Sequence, residues 1–183
     1  MIYMFLAEGF EEIEALCPLD LMRRAGLSVT TVGIGGEYVS GAHSITVKAD
    51  MSDADFSVLS YADSTDMIFL PGGMPGTLNL EASPVVTDAI RSAAEDKKYI
   101  AAICAAPSIL GKMGLLIGKE AICYPGFERY LEGAQISEKR VVTDGNIITA
   151  AGMGAALDMG IEIVKIFCGA DKADALRSAV IAD

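Results

Sequence analysis

Ala101-Ala102-Ile103-Cys104-Ala105-Ala106-Pro107 is an apolar run that breaks at one thiol and continues in small residues to a proline. Tyr99–Ile103 reads as a buried β-strand, and the segment from Ala105 to about Met113 as a short helix. A strand that turns at once into a helix is the layout of a nucleophile elbow, which lifts a side chain above the carboxyl edge of a sheet. Small residues around Cys104 suit the crowding of such a turn. Pro107 falls in the first helical turn, where its missing N–H costs nothing. At a helix N-terminus the Cys104 thiol is expected to be acidified toward thiolate. Spacing alone leaves a second reading open, an inert buried thiol on a small-residue turn.

Outward from the elbow the chain alternates short apolar runs with helical stretches. Ile2–Leu6, Leu27–Val32, Met67–Leu70 and Ala121–Cys123 read as strands, as do Val141–Thr143 and Ile147–Ala150 across a Thr143-Asp144-Gly145-Asn146 turn. Tyr38–Val47 reads as a short antiparallel excursion. Helices are expected from Glu11 to Ala25 with Gly26 beyond the end, from Ser83-Pro84 to about Asp96, from Gly154 to about Phe167, and from Lys172 to Val180. Strands alternating with helices predict an α/β fold, a mostly parallel sheet covered on both faces. Ligands then bind beyond the carboxyl ends of the strands. No repeat or linker divides the chain, so residues 1–183 read as one domain.

Two further strand ends reach that edge. Leu70-Pro71-Gly72-Gly73-Met74-Pro75-Gly76 brings a glycine backbone close, so the N–H of Gly73 and that of Ala105 are candidate oxyanion donors; a plain loop is the alternative. It is neither a Walker loop nor a dinucleotide fingerprint. Glu8, Glu11, Glu12 and Glu14 cluster after the first strand and read mostly as a solvated helix start. Glu14 differs, lying one turn in among Ile13, Ala15 and Leu16, where a partly buried carboxyl is raised in pKa and able to donate to a thiolate.

Composition narrows the function classes. Lys+Arg total 14 against Asp+Glu 25, a net charge of −11, which argues against nucleic-acid and anionic-membrane partners. His43 is the single histidine, which excludes zinc motifs needing two. Cys17, Cys104, Cys123 and Cys168 contain no Cys-x-x-Cys pair, and reduced thiols in a cytoplasmic protein are the expectation. Met1–Leu6 reads as a strand and not a signal peptide, and no stretch is long and apolar enough to span a membrane. No motif calls for a metal or an organic cofactor.

Phe69-Leu70-Pro71-Gly72-Gly73, the Ala101–Pro107 elbow, and Glu11-Glu12-Ile13-Glu14 followed by Leu21-Met22-Arg23-Arg24-Ala25-Gly26 resemble the DJ-one/ThiJ/PfpI superfamily, nearest its DJ-one/ThiJ branch. The likeness runs in order from the first strand to Gly152-Met153-Gly154. It implies a flavodoxin-like three-layer sandwich that forms a homodimer. It implies that Cys104 is the reactive, oxidisable cysteine, Glu14 its protonated partner, and Gly73 and Ala105 the backbone donors, with Gly72 and Tyr124 in the pocket. Tyr124 stands where some members carry His, Ala105 where the protease branch has His, and Met153 where Pro is usual. Protease and amidotransferase chemistry are therefore disfavoured. By the resemblance, His43 of the partner subunit approaches Cys104 across the dimer; an ordinary exposed hairpin His is the alternative. The implied function is cysteine-dependent protection against small reactive carbonyl compounds, of glyoxalase or deglycase type. The alternatives are a redox sensor or chaperone in which oxidants convert Cys104 to sulfinate, and a non-catalytic ligand-binding protein. Cys17, Cys123 and Cys168 read as structural.

Overall fold

The computed structural model describes residues 1–58 and 62–182. Its strands are β1 (Ile2–Leu6), β2 (Val29–Gly33), β3 (Tyr38–Ser40), β4 (Thr46–Lys48), β5 (Met51–Ser52), β6 (Met67–Leu70), β7 (Tyr99–Ile103), β8 (Glu120–Ala121), β9 (Gln135–Ile136), β10 (Val141–Asp144) and β11 (Ile147–Ala150). Its helices are α1 (Glu12–Arg24), α2 (Gly76–Ala82), α3 (Pro84–Glu95), α4 (Pro107–Lys112), α5 (Ala156–Cys168) and α6 (Ala170–Ala179).

One sheet runs in the order β10-β11-β7-β6-β1-β2-β5, and every pairing in it is parallel except β10 with β11. Ile2 pairs with Met67, Leu70 with Ala102 and Ile103 with Ala150, so β1, β6, β7 and β11 finish at one edge.

The strands are apolar on both sides because both sides are covered. Tyr3, Phe5, Ile68, Leu70 and Ile100 pack with Val86 and Ile90 of α3 and Leu110 of α4. Met4, Leu6, Met67, Phe69 and Ile103 pack with Met22 of α1 and Met159 and Ile163 of α5. Alternate strand residues thus feed opposite layers. Gly160 lets α5 lie close on α1, since a Cβ there would sit 2.6 Å from Leu21 Cδ1 and 3.1 Å from Pro18 Cα. Leu21 joins Ile161, Val164 and Leu176 in a smaller cluster that docks α6.

The expected β6 and β7 coincide with the observed ones, and the excursion is the antiparallel pair β3–β4. Several boundaries need correction; α5 starts at Ala156 and not Gly154, and α6 at Ala170 and not Lys172. The helix after the elbow starts at Pro107, not Ala105, because Ala105 and Ala106 complete the turn, with Ala106 N–H bonded to the Ile103 carbonyl. The strand after Leu27 starts at Val29, because Leu27 N–H still bonds the Met22 carbonyl at the end of α1. The strand expected at Ala121–Cys123 is Glu120–Ala121, paired with β9 outside the main sheet, while the Cys123 side chain packs into the core. Helix α2 and strands β5 and β9 are short and carry no clear period, so they were not expected. Among the described residues no helix is long and apolar enough to cross a membrane.

Candidate active site

Cys104 sits at the carboxyl end of β7 with φ +64°, in the left-handed region that a non-glycine residue occupies only when its surroundings hold it there. The hold is visible. Cys104 N–H donates to the Ala150 carbonyl at 2.9 Å, and the Cys104 carbonyl accepts from Tyr124 N–H at 2.8 Å. The turn projects a half-buried sulfur toward Glu14, and the N–H groups of Gly73 and Ala105 hydrogen-bond it.

Glu14 lies in the first turn of α1, and only 1% of it is exposed. Glu11 sets that turn, its Oε2 accepting from Glu14 N–H at 2.8 Å. The Glu14 carboxyl accepts from Gly72 N–H at 3.0 Å and from Met153 N–H, and it hydrogen-bonds Cys104. Burial raises its pKa from 4.5 to about 7, against the lowering effect of those hydrogen bonds and with help from the nearby Glu11 charge. Gly72 is sterically required, because a Cβ there would lie 2.5 Å from Glu14 Oε2 and 2.6 Å from Cys104 Cβ.

The thiol does not follow the helix-terminus argument. Burial, the Glu14 charge and the Glu14 hydrogen bond push Cys104 up to about 12, and the N–H groups of Gly73 and Ala105 offset this only in part. The helix opens three residues beyond the sulfur and is only 6 residues long. Its dipole acts within a turn and is too weak to win. Cys104 and Glu14 therefore titrate as a pair, and between the two values they hold one proton.

The other expected residues divide. Gly73 and Ala105 face the sulfur, whereas Gly72 serves the carboxyl. Tyr124 is 51% exposed and is tied to the elbow by its backbone. Its ring borders a cleft of about 510 Å³ shared with Pro125, Arg140, Gly152 and Met153. His43 is exposed, and its Nδ1 lies 2.9 Å from Oε2 of Glu12 in the same chain.

Two site groups escaped the sequence reading. Met153 N–H is one, and Glu12 is the other: expected to be solvated, it is 2% exposed. Its partners lie 31 and 33 residues further on, a separation that no local pattern reports. Among the described residues, Glu11, Glu12 and His43 form the one cluster with metal-ligand spacing, their ligand atoms within 4.8 Å. Both carboxylates there are already engaged by N–H donors, Glu11 by its own helix and Glu12 by the hairpin. Cys123 is buried, which pushes its thiol up to about 12, while Cys168, expected to pack, is exposed at the end of α5.

The family model described as DJ-1/PfpI family matches residues 1–166, a span that contains every site residue named above. The chain belongs to the DJ-1/PfpI family. It is 35% identical to Protein dj-1beta of Drosophila melanogaster, covering 96% of this chain and 94% of that one. It is 36% identical to the Parkinson disease protein 7 homolog of Danio rerio over the same shares. A Caenorhabditis elegans relative, 29% identical over 92% of this chain and 89% of its own, is named glutathione-independent glyoxalase DJR-1.2. Among solved structures, oxidized Toxoplasma gondii DJ-1 superposes with a TM-score of 0.90 at 30% identity, covering 98% and 97% of the two chains. The DJ-1/PfpI chain thus shares its architecture with proteins of the DJ-1 kind over nearly its whole length.

Proposed function

We propose that residues 1–183 act as one DJ-1/PfpI unit that converts small reactive α-dicarbonyls to hydroxy acids through Cys104. The observation that carries this is the pairing of the Cys104 sulfur with a carboxyl whose pKa is about 7. A group poised there serves as base and acid in turn at neutral pH. With methylglyoxal, the Glu14 carboxylate takes the thiol proton as sulfur bonds to the aldehyde carbon. The former carbonyl oxygen becomes an alkoxide, faces the N–H groups of Gly73 and Ala105, and receives that proton to give a hemithioacetal. Glu14 then moves the C1 proton toward C2 through an enediol, leaving a thioester of lactate. Water cleaves the thioester, releasing lactate and restoring the thiol. The relative named a glyoxalase supports this reading.

The expected result is methylglyoxal loss with matching lactate formation in the wild type, and loss of both in Cys104→Ser and Glu14→Gln. Equal rates in wild type and Cys104→Ser overturn the reading.

One observation favours a second role. Gly73, Ala105 and Glu14 all converge on the sulfur and would hold an oxygen added to it. Peroxide converts the thiolate to sulfenate with release of water, and a second equivalent gives sulfinate. A mass gain of one and then two oxygens confined to Cys104, and lost in Glu14→Leu, supports this; oxidation spread over all four cysteines sinks it. We also propose a cytoplasmic homodimer in which His43 of one subunit lies near the Cys104 of the other. Sedimentation tests the assembly, and an unchanged Cys104 pH profile in dimeric His43→Ala refutes the imidazole's part.

A further inference from the structure

The β3–β4 hairpin is tied to the active site through three stacked layers of loop. Glu12 makes the first tie. Its Oε1 accepts from His43 N–H at 2.8 Å and from Ile45 N–H at 3.4 Å, while Oε2 engages His43 Nδ1 at 2.9 Å. A Cβ on Gly41 would lie 2.4 Å from that carboxylate, so the hairpin closes on it only with glycine there. These bonds outweigh the burial that opposes ionisation and hold Glu12 below the ordinary carboxylate range.

The second layer is backbone pairing between the hairpin and the turn after β1. Ala42 N–H donates to the Phe10 carbonyl at 2.7 Å and Gly9 N–H to the Ser40 carbonyl at 2.8 Å. Ser40 N–H also reaches Glu8 Oε2 at 3.2 Å. The third layer joins that turn to the glycine loop. Glu11 N–H donates to the Gly72 carbonyl at 3.0 Å and Gly76 N–H to the Gly9 carbonyl at 3.1 Å. The contact is tight enough that a Cβ on Gly73 would sit 2.3 Å from Glu11 N. The next residues in register are the donors themselves, Gly72 N–H on Glu14 and Gly73 N–H on the Cys104 sulfur.

We propose that Glu12 is a positioning residue for Cys104: its buried carboxylate clasps the hairpin onto the turn after β1, and this turn fixes the glycine loop whose N–H groups serve Glu14 and the sulfur. The proposal rests on the reading of Cys104 as the reactive centre. Glu12 touches neither sulfur nor substrate and acts only through the loops. The ionisable groups facing the clasp are Glu8, Glu11 and His43, with Glu11 Oε1 lying 4.0 Å from His43 Nδ1.

The test is the pH profile of iodoacetamide alkylation at Cys104, read by mass spectrometry with Cys123 and Cys168 as internal references. Glu12→Ala releases the clasp. Its expected effect is about tenfold slower alkylation of Cys104 at pH 7 and a midpoint about one pH unit higher, the size of one hydrogen bond to a charged group. Glu12→Gln keeps an oxygen for the hairpin N–H groups and is expected to restore most of the rate. Glu12→Asp, with the carboxylate drawn back by one methylene, gives the same shift in smaller measure if the alanine variant does not fold. A folded Glu12→Ala or Glu12→Asp with a wild-type profile overturns the proposal. A wild-type Cys104 no more reactive than Cys168 instead overturns the reading of Cys104 itself.

Discussion

Replacing Glu14 by Gln removes a titration and leaves the shape of the site nearly unchanged. In the folded chain burial raises this carboxyl from 4.5 to about 7, so between those values the native state binds a proton that the unfolded state has released. Stability that is complete below 4.5 is therefore lost as pH rises through about 7. The shift spans about 2.5 pH units at about 1.36 kcal/mol each, and about 2–3 kcal/mol of it accrues between pH 5 and pH 8. A domain of this size moves by ~2–4 °C per kcal/mol, so the carboxyl accounts for about 5–10 °C of melting temperature across that interval. Gln cannot ionise and carries no such slope. The assay is thermal unfolding of wild type and Glu14→Gln at pH 5 and pH 8, at one protein concentration. The quantity read is the change in their difference, in which the other titrating groups cancel. The variant gains on the wild type at pH 8 by about the stated amount. Parallel pH dependence in the two proteins would show that Glu14 is not raised and would refute the base assigned to the mechanism.

Other consequences follow from contacts already described. Gly72→Ala forces a methyl against Glu14 and Cys104 and is expected to cost about 1–3 kcal/mol in a denaturant titration, with loss of selective Cys104 alkylation. Asp50 is opposed by burial, yet it accepts from the N–H and hydroxyl of Thr31 and pairs with Arg23, which holds it below its usual range. Its stabilisation is present above 3.8 and is lost as pH falls through the lowered value, so Asp50→Ala costs about 1–2 kcal/mol at pH 7 and less at pH 2 by urea midpoint. Cys168 is expected to react with a bulky disulfide reagent in the native protein, and Cys123 only after unfolding.

The strands and the elbow were legible because their signals are local. The Met67–Leu70 and Tyr99–Ile103 runs are short and apolar, and Cys104 with its small neighbours marks a sharp turn within one window. Glu14 was legible for the same reason, as an acid among apolar neighbours on a helical face. Glu12 was not, although it is just as buried, because it is covered by a hairpin some thirty residues away. The pairing of Gly72 with the carboxyl and Gly73 with the sulfur depends on how β6 and β1 stand side by side, and that register is a tertiary fact. The acidity of the thiol was misjudged because a helix end is visible in sequence, while the opposing burial and carboxylate are visible only in the fold.

That reversal sets a kinetic signature. A helix N-terminus is worth about 0.3–1 kcal/mol to an anion, up to about 2 kcal/mol in a favourable site. Burial and the Glu14 charge move Cys104 from 9.0 to about 12. At about 1.36 kcal/mol per unit that displacement is several times a typical dipole contribution. A free thiolate is consequently scarce at neutral pH, and in the proposed mechanism sulfur loses its proton to Glu14 as it attacks. The rate then follows the ionised fraction of Glu14 and not that of the thiol. Alkylation of Cys104 is expected to rise through a midpoint near 7 and to level off above pH 8, in register with the rate of methylglyoxal turnover. In Glu14→Gln the base and the negative charge are gone but the burial remains, so the plateau is lost and the curve keeps rising with pH beyond the ordinary thiol value of 9.0. A wild-type curve that still climbs steeply at pH 9 would mean that the thiolate forms without Glu14, and that the carboxyl helps to bind the sulfur without moving its proton.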